Sequence, residues 1–297
     1  MFTGTSRENF LRLLSKKNLL KPFLYLEPSG GLGNQIYSLL FGYIYSKKFH
    51  RRLLVNMSFA SRNSLKHKFS TVADFQFPSE YDNGNLFLRT SHPLMGKLLH
   101  VVSRLSKAVG LPFAAHGTKF ADLIKNKNLW LIHGTYCDSD IASMAESLNL
   151  PALSEPPSPS ASYLRWCAEL SDAKTKHLRI HLRLQDIRTF RNGERMLRSN
   201  YFNDFLKDHG NKFSKILVFS DEPESVREFI DSKFEVVVVS SDTELTDLEE
   251  FCRLQKCNSI LASDSTFSFW ASVWHTGAGN IYYPARDTFR DDWVSYL

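Results

Sequence analysis

The chain has 297 residues, 43% hydrophobic and 23% charged, with 37 Lys and Arg against 31 Asp and Glu for a formal charge of +6. That apolar content builds one large or two ordinary domains and excludes disordered, collagen-like and small disulfide-stapled chains. The positive balance suits a phosphorylated small molecule or an acidic lipid surface, while basic residues dispersed without interleaved aromatics argue against nucleic acid.

Residues 1–22 carry Phe10, Leu11, Leu13, Leu14, Leu19 and Leu20 beside Arg12, Lys16, Lys17 and Lys21. This pattern reads as a basic amphipathic segment suited to peripheral contact with an anionic membrane, or as a packed surface helix. It lacks the uninterrupted apolar core and cleavage site of a secretory signal. The longest apolar stretches, near Leu39–Ile44 and Phe267–Val273, fall well short of the roughly 20 residues of a spanning helix, so a cytoplasmic protein is expected.

A strand at Phe23–Leu26, a glycine turn, a helix from Asn34 to Lys47, a strand at Leu53–Val55 and another at Leu129–His133 outline a first Rossmann-like domain over residues 23–150. Between Ser58 and Gly117 no sustained period emerges. Residues 151–162 lie in a run with four prolines, which neither a helix nor a central strand tolerates, and read as a linker. Residues 163–297 then alternate short branched or aromatic strands, at Leu178–Leu182, Ile216–Phe219, Val236–Val239, Ile260–Ala262 and Ile281–Tyr283, with helical patterns. Pro223 suits the first turn of a helix opened by Ser220 or Asp221, and Leu245, Leu248, Phe251, Cys252 and Leu254 share a helix face. Alternating strands and helices predict an α/β fold with parallel sheets. The four cysteines, Cys137, Cys167, Cys252 and Cys257, fit neither a zinc site nor a disulfide framework and read as reduced thiols, the last two within one helical stretch.

Three stretches can carry chemistry. Ser29–Gln35 sits between a strand and a helix, where backbone amides approach a phosphate or sugar. Ile36, however, stands where the third glycine of a dinucleotide fingerprint would be. In Arg179–Asp186, His181 and Arg183 share one strand face and Asp186 follows its end. A guanidinium there stays charged as a leaving group gains charge, or else forms a structural pair with Asp186. The strand ends Phe219–Glu222 and Ala262–Ser268 place hydroxyls and carboxylates at helix starts. Ser265 and Thr266 suit an anion cradle and Asp221 or Asp264 a base or ribose, unless these are simply helix caps. Asp138-Ser-Asp140 has the spacing by which two carboxylates share a divalent ion. Phosphate-loop and serine-hydrolase motifs are absent.

In this order, GGLGNQ at 30–35, HLRLQD at 181–186, FSDE at 219–222 and SDSTFSFWASVW at 263–274 resemble the α-1,2-fucosyltransferases of glycosyltransferase family 11. Gly134-Thr-Tyr136, Asn200-Tyr-Phe202 and Pro284 are similar to smaller features of that family. The resemblance implies a GT-B fold, two Rossmann-like halves facing across a cleft with the GDP-sugar held by the carboxyl-terminal one. It implies inverting transfer of L-fucose from GDP-β-L-fucose to the 2-hydroxyl of a galactoside, without an essential metal ion or other cofactor. By the same resemblance Arg183 would hold the β-phosphate, with His181 near the nucleotide and Asp186 orienting the arginine. Ser265 and Thr266 would face the diphosphate, with Ser220, Asp221, Asp264 and Phe267 also on the donor. Gly31, Gly33 and Asn34 would face the donor sugar, Asn34 joining Arg183 as a catalytic residue. A bacterial surface-polysaccharide enzyme acting on a glycan or lipid-linked oligosaccharide is expected. Glu27 and Asp138 are positional candidates for the general base. Leu184 and Gln185 stand where the family usually has arginine and glycine in HxRRGD. Ser220-Asp-Glu222 and Asp264-Ser-Thr266 stand for its SDD and NST. These departures leave room for another nucleotide sugar, with a metal at Asp138 and Asp140, or for a binding module without turnover.

Overall fold

The structure, a computed structural model, describes residues 23–28, 30–56, 75–76, 87–90, 93–109, 113–114, 125, 127–129, 131–133, 158–159, 176–184, 188, 197–239, 247–275, 277–284 and 294–295. The chain divides into two compact units, Met1–Ser158 and Pro159–Leu297. The amphipathic segment 1–22, Ser29, Gly134–Tyr136, Cys137, Asp138, Asp140, Cys167 and Asp186 lie outside the described residues, as do all but two of residues 151–162.

The first unit contains β1 (Phe23–Glu27), α1 (Leu32–Lys48), β2 (Arg52–Asn56), β3 (Phe87–Thr90), α2 (Pro93–Ala108), β4 (Phe113–Ala114) and β5 (Leu131–His133). Its five strands run parallel in the order β3-β2-β1-β5-β4. Leu24, Tyr25, Leu26, Leu53, Leu54 and Val55 are all buried, as continuous apolar runs must be when both faces of a parallel sheet are covered. Every residue of α1 from Leu32 to Ser46 is buried except Asn34, so this helix has no solvent face along most of its length. Gly42 permits its close approach to the sheet, because a Cβ there would sit 3.0 Å from Leu53 and 3.1 Å from Leu26. Helix α2 lies within the stretch where the sequence shows no sustained period.

The second unit contains β6 (His177–Leu182), α3 (Ser199–His209), β7 (Lys215–Ser220), α4 (Val226–Phe229), β8 (Val237–Val238), α5 (Asp247–Gln255), β9 (Ser259–Leu261), α6 (Thr266–Val273), β10 (Ile281–Tyr283) and β11 (Val294–Ser295). All its strands pair in parallel, in the order β8-β7-β6-β9-β10-β11. Counted from the first strand of the unit this is 3-2-1-4-5-6, the doubly wound nucleotide-binding arrangement, in which the winding reverses between the first and fourth strands. The period of two along β6 sorts its side chains. Leu178, Ile180, Leu182 and Leu184 enter one core with Tyr201, Phe202, Phe205 and Leu206. Arg179 and His181 are buried outside that cluster.

The architecture is thus α/β, with a parallel, Rossmann-like sheet in each unit. Two local expectations need correction. The helix after β7 is not opened by Ser220 or Asp221: a 3₁₀ turn, Pro223–Ser225, leads into α4, and Glu222 precedes it without a side-chain cap. Cys257 lies beyond the end of α5, not within a helix. Cys252 and Cys257 are buried thiols outside any disulfide, and burial pushes the Cys257 thiol up to about 12. The two-residue β11 was not anticipated, being too short to carry a pattern. No helix among the described residues is long and apolar enough to cross a membrane.

Candidate functional site

In the first unit the chain leaves β1 and turns into α1 through glycines. Gly30 has φ +82°, a conformation that costs a residue with Cβ about 1–2 kcal/mol. Gln35, fully buried, fastens the turn: its Nε2 donates to the Gly30 carbonyl at 2.9 Å and its backbone amide to Gly31 O at 3.1 Å. Gly31 is the N-cap of α1 and offers no side-chain bond to the first-turn amides. Such a helix start presents N–H groups and the positive end of the helix dipole. Gly33 is buried within it, and Asn34, half-buried, is the accessible side chain of the first turn.

Glu27, at the end of β1, is fully buried. Its Oε1 accepts from the Tyr25 hydroxyl at 2.8 Å and lies 3.0 Å from His100 Nδ1 on α2. Asn56 Nδ2 donates to the same Tyr25 oxygen at 2.8 Å. Burial, and then the charge of Glu27, push the Tyr25 phenol far above its ordinary value. The enclosed carboxylate therefore ties β1, β2 and α2 together.

In the second unit the winding reversal places the ends of β6 and β9 side by side, with Leu261 opposite Ile180 in register. His181, one residue on, is buried between them. Its Nδ1 lies 2.9 Å from Ser263 Oγ and in a short contact with Ser268 Oγ. Its ring stacks on Phe267 at 5.0 Å between centroids. Ser265 is the N-cap of α6 and accepts from the Ser268 amide at 3.1 Å. The three serine hydroxyls also bond among themselves, Ser263 to Ser268 at 3.0 Å and Ser265 to Ser268 at 3.2 Å. Asp264 is buried, while Ser265 and Thr266 are half-buried and stay accessible at the helix start. Histidine, hydroxyls and first-turn amides thus form a polar, anion-compatible cradle where open α/β sheets bind their ligands.

Arg183 is half-buried, at the first position past β6. Beside it Leu184 is fully buried in the core. The Leu184 amide donates to Asp221 Oδ1 at 2.7 Å. Asp221 is exposed, and this bond links the ends of β6 and β7. Ser220 is buried and accepts from the Glu222 amide at 3.1 Å. The structure therefore brings His181 and Phe267 into direct contact, links Ser265 to His181 through Ser263 and Ser268, and sets Asp264 and Thr266 beside Ser265 in the chain. It sets Arg183, Ser220 and Asp221 at the neighbouring strand ends, and places Gly31, Gly33 and Asn34 in the other unit. Ser263, Ser268 and Gln35 were not singled out as site residues by sequence. Only the repeated serines at 263, 265 and 268 and the position of Gln35 behind the glycines signal them. Among the described residues no group of three His, Cys, Asp or Glu side chains is placed to hold a metal ion.

Residues 174–293 match the sequence model of glycosyl transferase family 11. No curated protein matches the chain in sequence. In structure the chain is similar to an Arabidopsis thaliana FUT1 variant in complex with GDP, with TM-score 0.51 and 15% identity over 98% of this chain and 77% of that one. It is also similar to POFUT1 in complex with GDP, with TM-score 0.48 and 12% identity over 90% and 99%. A third is the NodZ α-1,6-fucosyltransferase from Bradyrhizobium, soaked with GDP-fucose, with TM-score 0.49 and 11% identity over 85% and 92%. At these identities the FUT1 likeness establishes the fold.

Proposed function

We propose that the chain transfers L-fucose from GDP-β-L-fucose to the 2-hydroxyl of a galactoside in a glycan or lipid-linked oligosaccharide, with inversion and without an essential metal ion. The observation that carries this reading is the serine cradle around His181 at the β6–β9 reversal, inside the stretch that matches glycosyl transferase family 11. The GDP complex of the similarly folded FUT1 variant supports the choice of nucleotide.

In this reading the bond between the anomeric carbon and the β-phosphate oxygen breaks with its electron pair leaving on GDP. The acceptor oxygen bonds that carbon from the opposite face and gives up its proton to a carboxylate base, for which Glu27 and Asp138 are the positional candidates. Negative charge grows on the leaving diphosphate, so a fixed guanidinium and helix-start amides stabilise the transition state more than the ground state. We assign the first task to Arg183, with Asp186 orienting it, and the second to the start of α6 with Ser265 and Thr266. His181 and Phe267 wall the nucleotide, Ser220, Asp221 and Asp264 complete its contacts, and Gly31, Gly33 and Asn34 serve the sugar. We assign the work to the cytoplasm, with residues 23–150 on the acceptor side, 151–162 as linker and 163–297 on the donor.

The test is transfer from GDP-fucose across a panel of β-galactosides in excess EDTA, with parent and Arg183→Ala protein. Turnover should survive chelation and fall at least about 100-fold with the substitution, the magnitude of losing one preorganised electrostatic contact. Loss of activity on chelation, or an indifferent Arg183→Ala, would overturn the assignment.

A further inference from the structure

Helix α2 is oriented against the usual rule for a surface helix. Of the large hydrophobic side chains exposed among the described residues, most lie on α2 or directly after it: Leu98 at 55%, Val101, Val102, Leu105 at 61% and Val109 at 74%. At 3.6 residues per turn these positions fall within an arc of about 100°, one continuous apolar stripe. Val109 continues the helical geometry, its amide donating to Leu105 O at 3.0 Å. The opposite side of the helix carries His100, half-buried and 3.0 Å from the buried Glu27. Among the described side chains of α2, His100 makes a polar contact with its own unit and the apolar stripe faces outward. An ordered, contiguous apolar surface of this kind marks an interaction site.

The charge around the stripe identifies its partner. Lys97 and Arg104 are exposed beside it, and the helix sequence contains no Asp or Glu. From Asn83 to Ala121 there is likewise no acidic residue, against Arg89, Lys97, Arg104, Lys107 and Lys119. A second copy would bring the same uncompensated positive charge to the contact. The chain's own segment 1–22, with Arg7, Arg12, Lys16, Lys17 and Lys21 against Glu8, would do the same. A bilayer with anionic headgroups answers both features: its interface takes up an apolar helix face, and its surface potential attracts flanking Lys and Arg.

We propose that the outward face of α2 is a docking surface for an anionic lipid bilayer, and that it seats the first unit against the membrane. The inference goes beyond the transfer reaction and is read without a donor sugar.

Flotation of the full chain with phosphatidylglycerol–phosphatidylcholine vesicles, against phosphatidylcholine alone, tests it. The chain should bind the anionic vesicles and weaken with added salt. Leu105→Asp should cut partitioning at least about 10-fold, and Lys97→Gln and Arg104→Gln about fivefold each, from the contribution of one basic residue near such a surface. These side chains are exposed, so circular dichroism and thermal unfolding of the variants should match the parent. Absence of binding to anionic vesicles, or binding unaffected by Leu105→Asp, would overturn the proposal. So would binding that survives Leu105→Asp and disappears on deletion of residues 1–22. A dimer seen by light scattering, dissociated by Leu105→Asp without any vesicle binding, would assign the stripe to a second copy instead.

Discussion

The serine cluster around His181 makes a quantitative claim about stability. Ser263 Oγ and Ser268 Oγ both contact His181 Nδ1, and they contact each other at 3.0 Å. Removing either hydroxyl alone leaves the ring nitrogen its other hydroxyl partner. Each single substitution, Ser263→Ala or Ser268→Ala, therefore costs about 1 kcal/mol, the net worth of one buried hydrogen bond. The double substitution takes both hydroxyls from a buried nitrogen and adds a desolvation penalty of about 1–3 kcal/mol. Its total should reach about 3–5 kcal/mol, exceeding the sum of the singles by about 1–3 kcal/mol. Urea unfolding of the four proteins, compared at a common m-value, measures this directly. Additivity within about 0.5 kcal/mol would refute the reasoning, because residues that share a partner must couple.

Gly30→Ala should lower stability by about 1 kcal/mol, the left-handed cost of about 1–2 kcal/mol less a gain of about 0.4–1 kcal/mol from a stiffer unfolded chain. Its Cβ would also come within 2.8 Å of Asn34 Nδ2, so transfer should slow as Asn34 shifts; thermal unfolding and the transfer assay check the two effects separately. Burial holds the His275 imidazole below its usual value, opposed by a bond to the Cys257 carbonyl and reinforced by Arg179. Since the unfolded chain then binds the proton more tightly, stability should be full above about pH 6.5 and fall as pH drops toward the lowered folded value. Unfolding free energies of parent and His275→Gln across that window should show the slope reduced in the variant.

Much of the second unit was legible because its determinants are local. Branched and aromatic runs marked β6, β7, β9 and β10. The alternation of Leu178, Ile180 and Leu182 with Arg179, His181 and Arg183 carries a period of two that a strand buried among unlike neighbours must have. The same alternation, continued one step, explains Leu184: read against the family pattern it looks like a lost arginine, but its parity puts it in the core. Serines before a helical run marked the cap at Ser265, whereas the expected cap after β7 failed because Asp221 bonds the Leu184 amide instead. That bond joins residues distant in sequence, and no local pattern announces it.

Composition and periodicity were thus sufficient for the α/β class, the parallel sheets, the glycine turn and most of the polar residues at strand ends, since each depends on near neighbours and on short-range backbone preference. Only the tertiary structure decided which of those residues meet. Ser263 and Ser268 reach His181 through the pairing of β6 with β9, and Glu27 is enclosed because His100 and Tyr25 close on it. It also decided the sense of α2. The stripe from Leu98 to Val109 has the spacing of a core-facing helix, and spacing is unchanged by rotating the helix about its axis. In the structure His100 meets the buried Glu27 while Leu98, Val101, Val102, Leu105 and Val109 are exposed.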